Sequence, residues 1–161
     1  MKKTLVLASL KLEDCFLLPK IVEKEFSELI LIQNYETSII QPLGCSIRSI
    51  IQAIVYEEVE SIYIVGSTIN PNIKNKSITT TLYDKGISKE VIDTFNYVNV
   101  LNMEVEEWLT TAIDVRQGIV ENMKLIKNHP LIAPSVIISG IVFNSETRVW
   151  KKVEDCVNDG K

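Results

Sequence analysis

Residues 46–67 read SIRSIIQAIVYEEVESIYIVGS, and this stretch decides the fold. Its first half carries isoleucine at positions 47, 50, 51 and 54, the i, i+3, i+4, i+7 spacing of an amphipathic helix, with Ser46 as a reasonable N-cap. Its second half, residues 61–66, is a nearly continuous apolar run, typical of a strand that is covered on both faces. A similar apolar run at residues 29–32 precedes the helix. A helix between two such strands predicts a right-handed βαβ unit.

The residues before this stretch predict two further parallel strands. Thr4–Ser9 is a short apolar run that reads as a buried first strand, and residues 29–32 read as a second. Between them, residues 16–30 place apolar side chains at helical spacing, which predicts one amphipathic helix.

The rest of the chain predicts mainly helices and a final pair of strands. Residues 77–98 read as helical with an interruption at Gly86, and residues 104–127 as one long helix that stops before Pro130. Residues 136–143 and 148–153 read as strands joined by a turn. The chain is therefore expected to be a single three-layer α/β domain over residues 1–161. Its mostly parallel sheet has about four parallel strands plus one antiparallel edge strand and is flanked by helices.

Composition excludes several classes of partner. A formal charge of −4 and a pI near 5.1 argue against nucleic acid, whose binding requires a basic face. No apolar run approaches the roughly 20 residues that a membrane-spanning helix needs. The start of the chain superficially resembles a signal peptide, but its apolar stretch runs into charged residues without a convincing cleavage site. The three cysteines, Cys15, Cys45 and Cys156, form no C-x-x-C motif, and we expect reduced, mostly buried thiols in a cytoplasmic protein.

The loop over residues 67–76 follows the strand of the βαβ unit, at the edge where open α/β sheets usually bind ligands. Ser67, Thr68 and Asn70 stand there next to Gly66. Their hydroxyl, amide and backbone N–H groups could bind a small anion such as bicarbonate or phosphate. The same residue types also make up ordinary turns, and that second interpretation is the one we favour.

Two residues near the start of the helix have both a chemical and a structural interpretation. Cys45 lies at a helix N-terminus, where the helix field favours a reactive thiolate, but no general base is evident, so a buried core cysteine is favoured. Arg48 could bind an anion, or could pair with Glu57, Glu58 or another acid, and the structural role is favoured.

Several phrases along the chain, in this order, resemble the β-class carbonic anhydrases. Residues 46–50 and 62–68 look like the family's S-L-R-S-I helix and its I-V-I-G-H-T strand end. Residues 127–132 and 139–147 resemble its Pro-Leu-Ile-like segment, its V-H-G-L-V-Y-D strand and the turn that follows. The similarity covers nearly the whole chain and implies the family's fold, zinc-dependent hydration of carbon dioxide, and a homodimer.

The residues that the family uses for zinc are not found at the matching positions. The resemblance implies two cysteines and one histidine, but Ser67 and Asn70 stand where its H-x-x-C motif is expected, and Ser9 stands where the first cysteine is expected. The Asp-Arg pair of the family is also missing by this alignment. His129 is the only histidine, and its position at a helix end suits ordinary hydrogen bonding.

We therefore expect a carbonic-anhydrase-like protein without a zinc cofactor and without catalytic residues, acting as an anion-binding or scaffolding homodimer. The vestigial pocket would include the residues Ser9, Cys45, Arg48, Ser67, Thr68 and Asn70. Two alternatives stay open: an enzyme with metal-free chemistry at the same pocket, for instance through Cys45, and a carbonic anhydrase with a non-standard metal site.

Overall fold

The computed structural model describes residues 2–35, 41–68, 77–98, 103–109 and 114–154. The chain divides into two compact units, one formed by Met1–Ile69 with Ala112–Lys161 and the other by Asn70–Thr111. The expectation of one domain over residues 1–161 stays a prediction. No helix in the described ranges is long and apolar enough to cross a lipid bilayer.

A five-stranded sheet forms the centre of the first unit. Its strands are β1 (Lys3–Ser9), β2 (Leu29–Gln33), β3 (Val59–Ser67), β4 (Ile137–Asn144) and β5 (Val149–Val153). They lie in the order β2-β1-β3-β4-β5, and every neighbouring pair is parallel except β4 and β5. The predicted mostly parallel sheet with one antiparallel edge strand is therefore confirmed.

Helices cover both faces of this sheet. The helices are numbered along the whole chain, and α4 to α6 belong to the second unit. The described part of the first unit contains α1 (Leu12–Cys15), α2 (Leu18–Val22), α3 (Cys45–Glu57) and α7 (Val115–Lys127). Leu5 and Leu7 of β1 pack with α3 and α7 on one face, whereas Val6 and Ala8 pack with α1 and α2 on the other. This alternation explains the continuous apolar runs of the central strands, because each successive side chain enters a different core.

The single helix predicted over residues 16–30 is wrong. The chain forms the short helix α2 instead, which begins next to Pro19 and ends at Glu23, whose φ of 56° is left-handed. A 3-10 turn with a capping box then covers Phe26–Glu28 before β2 begins. The predicted apolar spacing is real, since Leu18, Ile21 and Val22 are all buried. However, the left-handed Glu23 ends α2, and the capping box at Glu25 starts a separate 3-10 turn. The segment is therefore divided into two short helical pieces.

The helix α7 lies very close to β4 at Gly140. A Cβ atom at this position would stand 2.5 Å from Ile119 Cγ2 and 2.7 Å from Met123 Sδ, both on α7. A side chain at this position therefore fits only if Ile119 and Met123, or the helix that carries them, shift. The end of α7 at Lys127 agrees with the predicted stop before Pro130.

Where the structure describes it, the second unit contains three helices, α4 (Ile78–Asp84), α5 (Lys89–Val98) and α6 (Val105–Leu109). The predicted interruption at Gly86 is confirmed, and this glycine has a φ of 90° that other residues rarely adopt. The single helix predicted over residues 104–127 is wrong. Asp114 has extended backbone angles and accepts a hydrogen bond from the N–H of Arg116, so that α7 starts as a new, capped helix.

Glu106 of α6 caps the start of α4. Its carboxylate accepts hydrogen bonds from the N–H groups of Ile78 (2.9 Å) and Thr79 (2.7 Å) and from the hydroxyl of Ser77 (2.9 Å). It also accepts one from the hydroxyl of Thr79. These donors, led by the Thr79 hydroxyl, lower the pKa of Glu106 from 4.5 to about 2.

We predict that this cap contributes acid-sensitive stability. Because folding lowers the pKa of Glu106, the contribution is complete above pH 4.5 and is lost as the pH falls from there towards 2. Glu106→Gln should reduce the amide protection of Ile78 and Thr79 at pH 6, and should flatten the fall in stability below pH 4.5. The measurement is hydrogen exchange together with thermal unfolding across this pH range. Glu107→Gln on the same helix is the matched control, and equal slopes for Glu106→Gln and wild type would contradict the prediction.

Candidate functional site

The carboxyl edge of the sheet brings two of the predicted pocket residues onto neighbouring strands. Ser9 is the last residue of β1 and Ser67 is the last residue of β3, and Ser9 pairs in register with Gly66. Strand alternation gives the two serines opposite faces, since Ser9 follows Leu7 of one core and Ser67 follows Val65 of the other. The structure therefore places both at the predicted edge but on different sides of it.

Ser67 and Thr68 are tied to the end of β4. Ser67 is only 9% exposed, and its Oγ lies 2.8 Å from Oγ of Ser145. The N–H of Thr68 donates to the carbonyl oxygen of Phe143 at 2.9 Å, and its hydroxyl donates to the same oxygen at 3.5 Å. Sequence reasoning missed Ser145, although it follows a strand that ends at the same edge. Asn70, the remaining predicted member of this group, lies outside the described residues.

Cys45 and Arg48 lie on α3. Cys45 is the first residue of the helix, and its side chain is exposed, so the prediction of a buried core cysteine is wrong at this position. Cys15 is buried, as expected, whereas Cys156 lies outside the described residues. Arg48 is exposed as well, and within the described part of the chain its guanidinium is not paired with Glu57 or Glu58. The side-chain pairing favoured by the sequence is therefore not found there.

The N-cap residue of α3 makes no side-chain capping hydrogen bond. Gly44 is the N-cap residue, so the prediction of Ser46 as the cap is wrong. Ser46 lies inside the first turn, and its hydroxyl accepts a hydrogen bond of 3.2 Å from the Nδ2 of Asn34, just beyond β2. The backbone N–H groups at the start of a helix are natural anion donors when no side chain accepts from them. Arg48, one turn later, is the positively charged side chain among the described residues of the predicted pocket.

His129 is buried beyond the end of α7. Its Nδ1 accepts a hydrogen bond from the N–H of Leu131 at 3.2 Å, and its Nε2 lies 3.0 Å from the carbonyl oxygen of Pro42. The expectation of ordinary hydrogen bonding near a helix end is confirmed. Both ring nitrogens are engaged with the protein backbone.

Asp14 is a buried acid that sequence reasoning missed. It is only 2% exposed, and its Oδ2 has no hydrogen-bond partner among the described residues. Its backbone is satisfied, since its N–H donates to Lys11 and its carbonyl oxygen accepts from Leu17. Burial raises the pKa of the adjacent Cys15 thiol, and the negative charge of Asp14 raises it further.

We predict that Asp14 costs stability. A buried carboxylate oxygen without a donor carries a desolvation penalty that the folded chain does not repay. Asp14→Asn removes the charge and should raise the free energy of unfolding at pH 7 by about 1 kcal/mol. Urea unfolding measures the change. Glu13→Gln, at the exposed neighbouring position, is the control and should alter it by less than about 0.5 kcal/mol. A less stable Asp14→Asn variant would show instead that the carboxylate has a partner.

Known proteins of similar sequence share one family name. No protein-family model matches the chain. The carbonic anhydrase-like protein YbcF of Bacillus subtilis (strain 168) is 31% identical over 122 residues, which cover 72% of this chain and 66% of YbcF. YvdA of the same strain, whose name describes it provisionally as a carbonic anhydrase, is 24% identical over 148 residues, 91% of this chain and 74% of YvdA.

Solved structures of similar fold agree with this assignment. A β-carbonic anhydrase from Trichomonas vaginalis matches with a TM-score of 0.68 and 16% identity, covering 93% of this chain and 81% of the other. The apo form of a carbon disulfide hydrolase matches with a TM-score of 0.72 and 15% identity, covering 98% and 81%. The sequence similarity makes this chain a relative of carbonic-anhydrase-like proteins, and its five-stranded sheet with helices on both faces is the fold of the β-carbonic anhydrases.

Proposed function

We propose that this chain is a carbonic-anhydrase-like protein without a zinc centre, which binds a small anion or serves as a scaffold in a cytoplasmic homodimer. Ser67 is the single observation that carries the proposal. It stands where the family resemblance assigns a zinc-binding histidine, and its hydroxyl is hydrogen-bonded to Ser145 at 2.8 Å. A neutral hydroxyl in such a pair is a poor zinc ligand beside the thiolate and imidazole groups that zinc prefers.

The other candidate ligands support the same proposal. Within the described residues, no group of three His, Cys, Asp or Glu side chains could hold a metal ion. Cys15 is buried in the core that α1 and α2 cover, whereas Cys45 is exposed at the start of α3. The residues at this edge do not fit the zinc ion of the family, which needs three protein ligands and one open position to lower the pKa of a bound water.

The fold by itself leaves the reaction open. Its solved relatives include both carbonic anhydrases and a carbon disulfide hydrolase, and function depends on the groups that a fold carries at its site. Among the described residues those groups are hydroxyls, the backbone N–H groups at the start of α3 and one guanidinium. They are suited to holding an oxyanion such as bicarbonate or phosphate, and they offer no evident general base.

The start of α3 is the part of the predicted pocket best suited to that anion. Gly44 contributes no side chain to compete for the N–H groups of the first helical turn, and Arg48 adds a positive charge on an exposed surface. Helix α3 has 13 residues, long enough for its dipole to favour a negative charge at this end. We assign the anion to these donors, with Ser9 at the adjacent end of β1.

The homodimer is supported by the exposed surfaces of the first unit. The side chains of Val55 and Tyr56 on α3 are 65% and 77% exposed. The edge strand β2, which reads LILIQ, carries no charge that would discourage pairing with another strand, whereas β5 at the opposite edge exposes Lys151 and Lys152. These features favour a second copy against the α3 and β2 side of the sheet.

We predict that the purified protein contains no stoichiometric zinc and hydrates carbon dioxide no faster than background. Metal analysis of protein prepared without chelators, together with stopped-flow hydration assays, measures both quantities. A zinc-containing carbonic anhydrase measured in parallel serves as the positive control for both assays. Zinc near one equivalent together with hydration activity in the wild-type protein would overturn the proposal.

A metal-free enzyme is the second candidate function, and the exposure of Cys45 favours it. Such an enzyme requires a thiolate that reacts faster than a free cysteine. Under our proposal, Cys45 should react with iodoacetamide at pH 7 at about the rate of a small-molecule thiol, because exposure alone makes it accessible. Mass spectrometry locates the label. A much faster rate confined to Cys45 would support the enzyme, and Cys45→Ser is the control.

A carbonic anhydrase with a non-standard metal site is the remaining alternative. A site that uses histidine must use His129, because no other histidine is present. Its two ring nitrogens are engaged with Leu131 and Pro42, and the side chain is only 6% exposed. These contacts disfavour His129 as a ligand.

A further inference from the structure

The outer face of α3 carries few charges. It consists of the exposed residues Cys45, Arg48, Ser49, Gln52, Val55 and Tyr56. Arg48 is the one charged residue between positions 45 and 56, and the side chains of Val55 and Tyr56 are 65% and 77% exposed. A helix face in contact with water normally carries several charged residues. The outer face of α3 is therefore more typical of a helix that packs against a second surface.

Helix α7 provides a comparison within the same layer. It also has 13 residues, and both helices bury isoleucines in the same core against the sheet. The exposed residues of α7 include Arg116, Glu121, Lys124 and Lys127. Because the inner faces of the two helices are alike, packing on the sheet does not account for the difference. The outer face of α3 lacks the charges with which α7 faces water.

The charges of α3 lie at its opposite ends. Arg48 is near the start of the helix, Glu57 is its last residue, and Glu58 follows directly. An α-helix rises 1.5 Å per residue, so Arg48 and Glu57 are about 14 Å apart along the axis, too far for an ion pair within one helix. In agreement with this distance, Arg48 forms no ion pair with any described residue.

The acids at the end of α3 are exposed as well. Lys2 lies close enough to Glu58 to feel its charge, but its ion pair is with Glu60 at 2.8 Å. Neither Glu57 nor Glu58 forms an ion pair within the part of the chain that the structure describes. The helix therefore offers one positive charge near its start and two negative charges at its end.

A second copy in the antiparallel orientation matches these charges. Reversing the direction of one α3 brings its Glu57 and Glu58 opposite Arg48 of the other, and two-fold symmetry repeats the contact at the other end. A parallel copy would place Arg48 against Arg48, where like charges repel. Antiparallel helices also bring opposite ends of their dipoles together. Gln52 is about midway between Arg48 and Glu57, so it lies close to the two-fold axis.

We propose that the outer face of α3 is the interface for a second copy of this chain, packed antiparallel around a two-fold axis near Gln52. Val55 and Tyr56 of each copy leave water there, and the charges at the two ends fix the register. This inference rests on the homodimer of the proposed function and develops its scaffolding form. It names the orientation of the partner and the residues that select it.

A cysteine placed at the axis tests the geometry. Gln52→Cys, in a chain that also carries Cys45→Ser and Cys156→Ser, should form a disulfide-linked dimer on mild oxidation, because a residue at the axis meets its own copy within the roughly 7 Å that a disulfide allows between Cα atoms. Non-reducing electrophoresis and peptide mapping measure the product. Gln117→Cys in the same background, on the exposed side of α7, is the matched control and should stay monomeric under denaturing conditions.

The native Cys45 reports the orientation. In the antiparallel pair the two copies of Cys45 are about 22 Å apart along the helices, beyond the reach of a disulfide. Oxidised wild-type protein should therefore contain no disulfide between two Cys45 residues. Finding that bond would indicate parallel helices and would overturn the inference.

Reversal of the charges tests the register. Arg48→Glu should raise the Kd of the dimer about tenfold, because two symmetric attractions become repulsions. Adding Glu57→Lys and Glu58→Lys to this variant should return the Kd to within about threefold of wild type, since the opposite charges then face each other again. Sedimentation equilibrium measures the Kd. Arg116→Glu makes the same charge change on α7 and should leave it unchanged.

The outcomes separate this inference from the proposed function. A wild-type protein that stays monomeric overturns the homodimer and the inference together. A dimer that ignores Arg48→Glu, is not restored by the reversed acids, or fails to cross-link through Gln52→Cys overturns the inference alone and leaves a homodimer that uses another surface. All the substituted helix positions are exposed, so the variants should keep the stability of the fold.

Discussion

The parallel pairing of β1 with β3 is the constraint on which the rest of the structure depends. Both strands are buried on both faces, and their seven register pairs from Lys3 to Ser9 place the carboxyl ends of the two strands side by side. Parallel strands need a crossover connection, and here helices cover the sheet on both sides. Every described polar residue of the candidate site lies where one of these strands, or a helix packed on them, begins or ends.

The two faces of the sheet give the edge two different environments. On the side of α1 and α2, Ser67 and Ser145 form a nearly buried hydroxyl pair above Val65 and Phe143. On the side of α3 and α7, Ser9 ends β1 on the same face as Leu7. The start of α3, whose N-cap makes no side-chain hydrogen bond, carries Cys45 and Arg48. Among the described residues, one face of the edge therefore offers paired hydroxyls, whereas the other offers the N–H groups of a helix start and a positive charge. This difference is the reason for assigning the anion to α3.

Family membership and function rest on different kinds of residue in this chain. Apolar positions such as Ile47, Ile50 and Ile64 build the core between the sheet and its helices. The polar positions at the strand ends carry the chemistry. Because a strand end tolerates many polar residues without loss of packing, a chain can retain the core of a family while the groups at the edge change.

The sequence by itself determined the βαβ unit whose helix and second strand lie in residues 46–67. It also determined the mostly parallel sheet and the edge that holds Ser9 and Ser67. Each of these follows from apolar periodicity within a window of a few residues. Only the tertiary structure decided that Glu23 ends a helix early, that Cys45 is exposed while Asp14 is buried, and that Ser67 meets Ser145. It also decided that His129 contacts Pro42. The residues of this pair are 87 positions apart in the chain, and Ser67 and Ser145 are 78 positions apart. Burial and long-range hydrogen bonds arise from packing between distant segments, and no local pattern of residue types encodes which of those segments will meet.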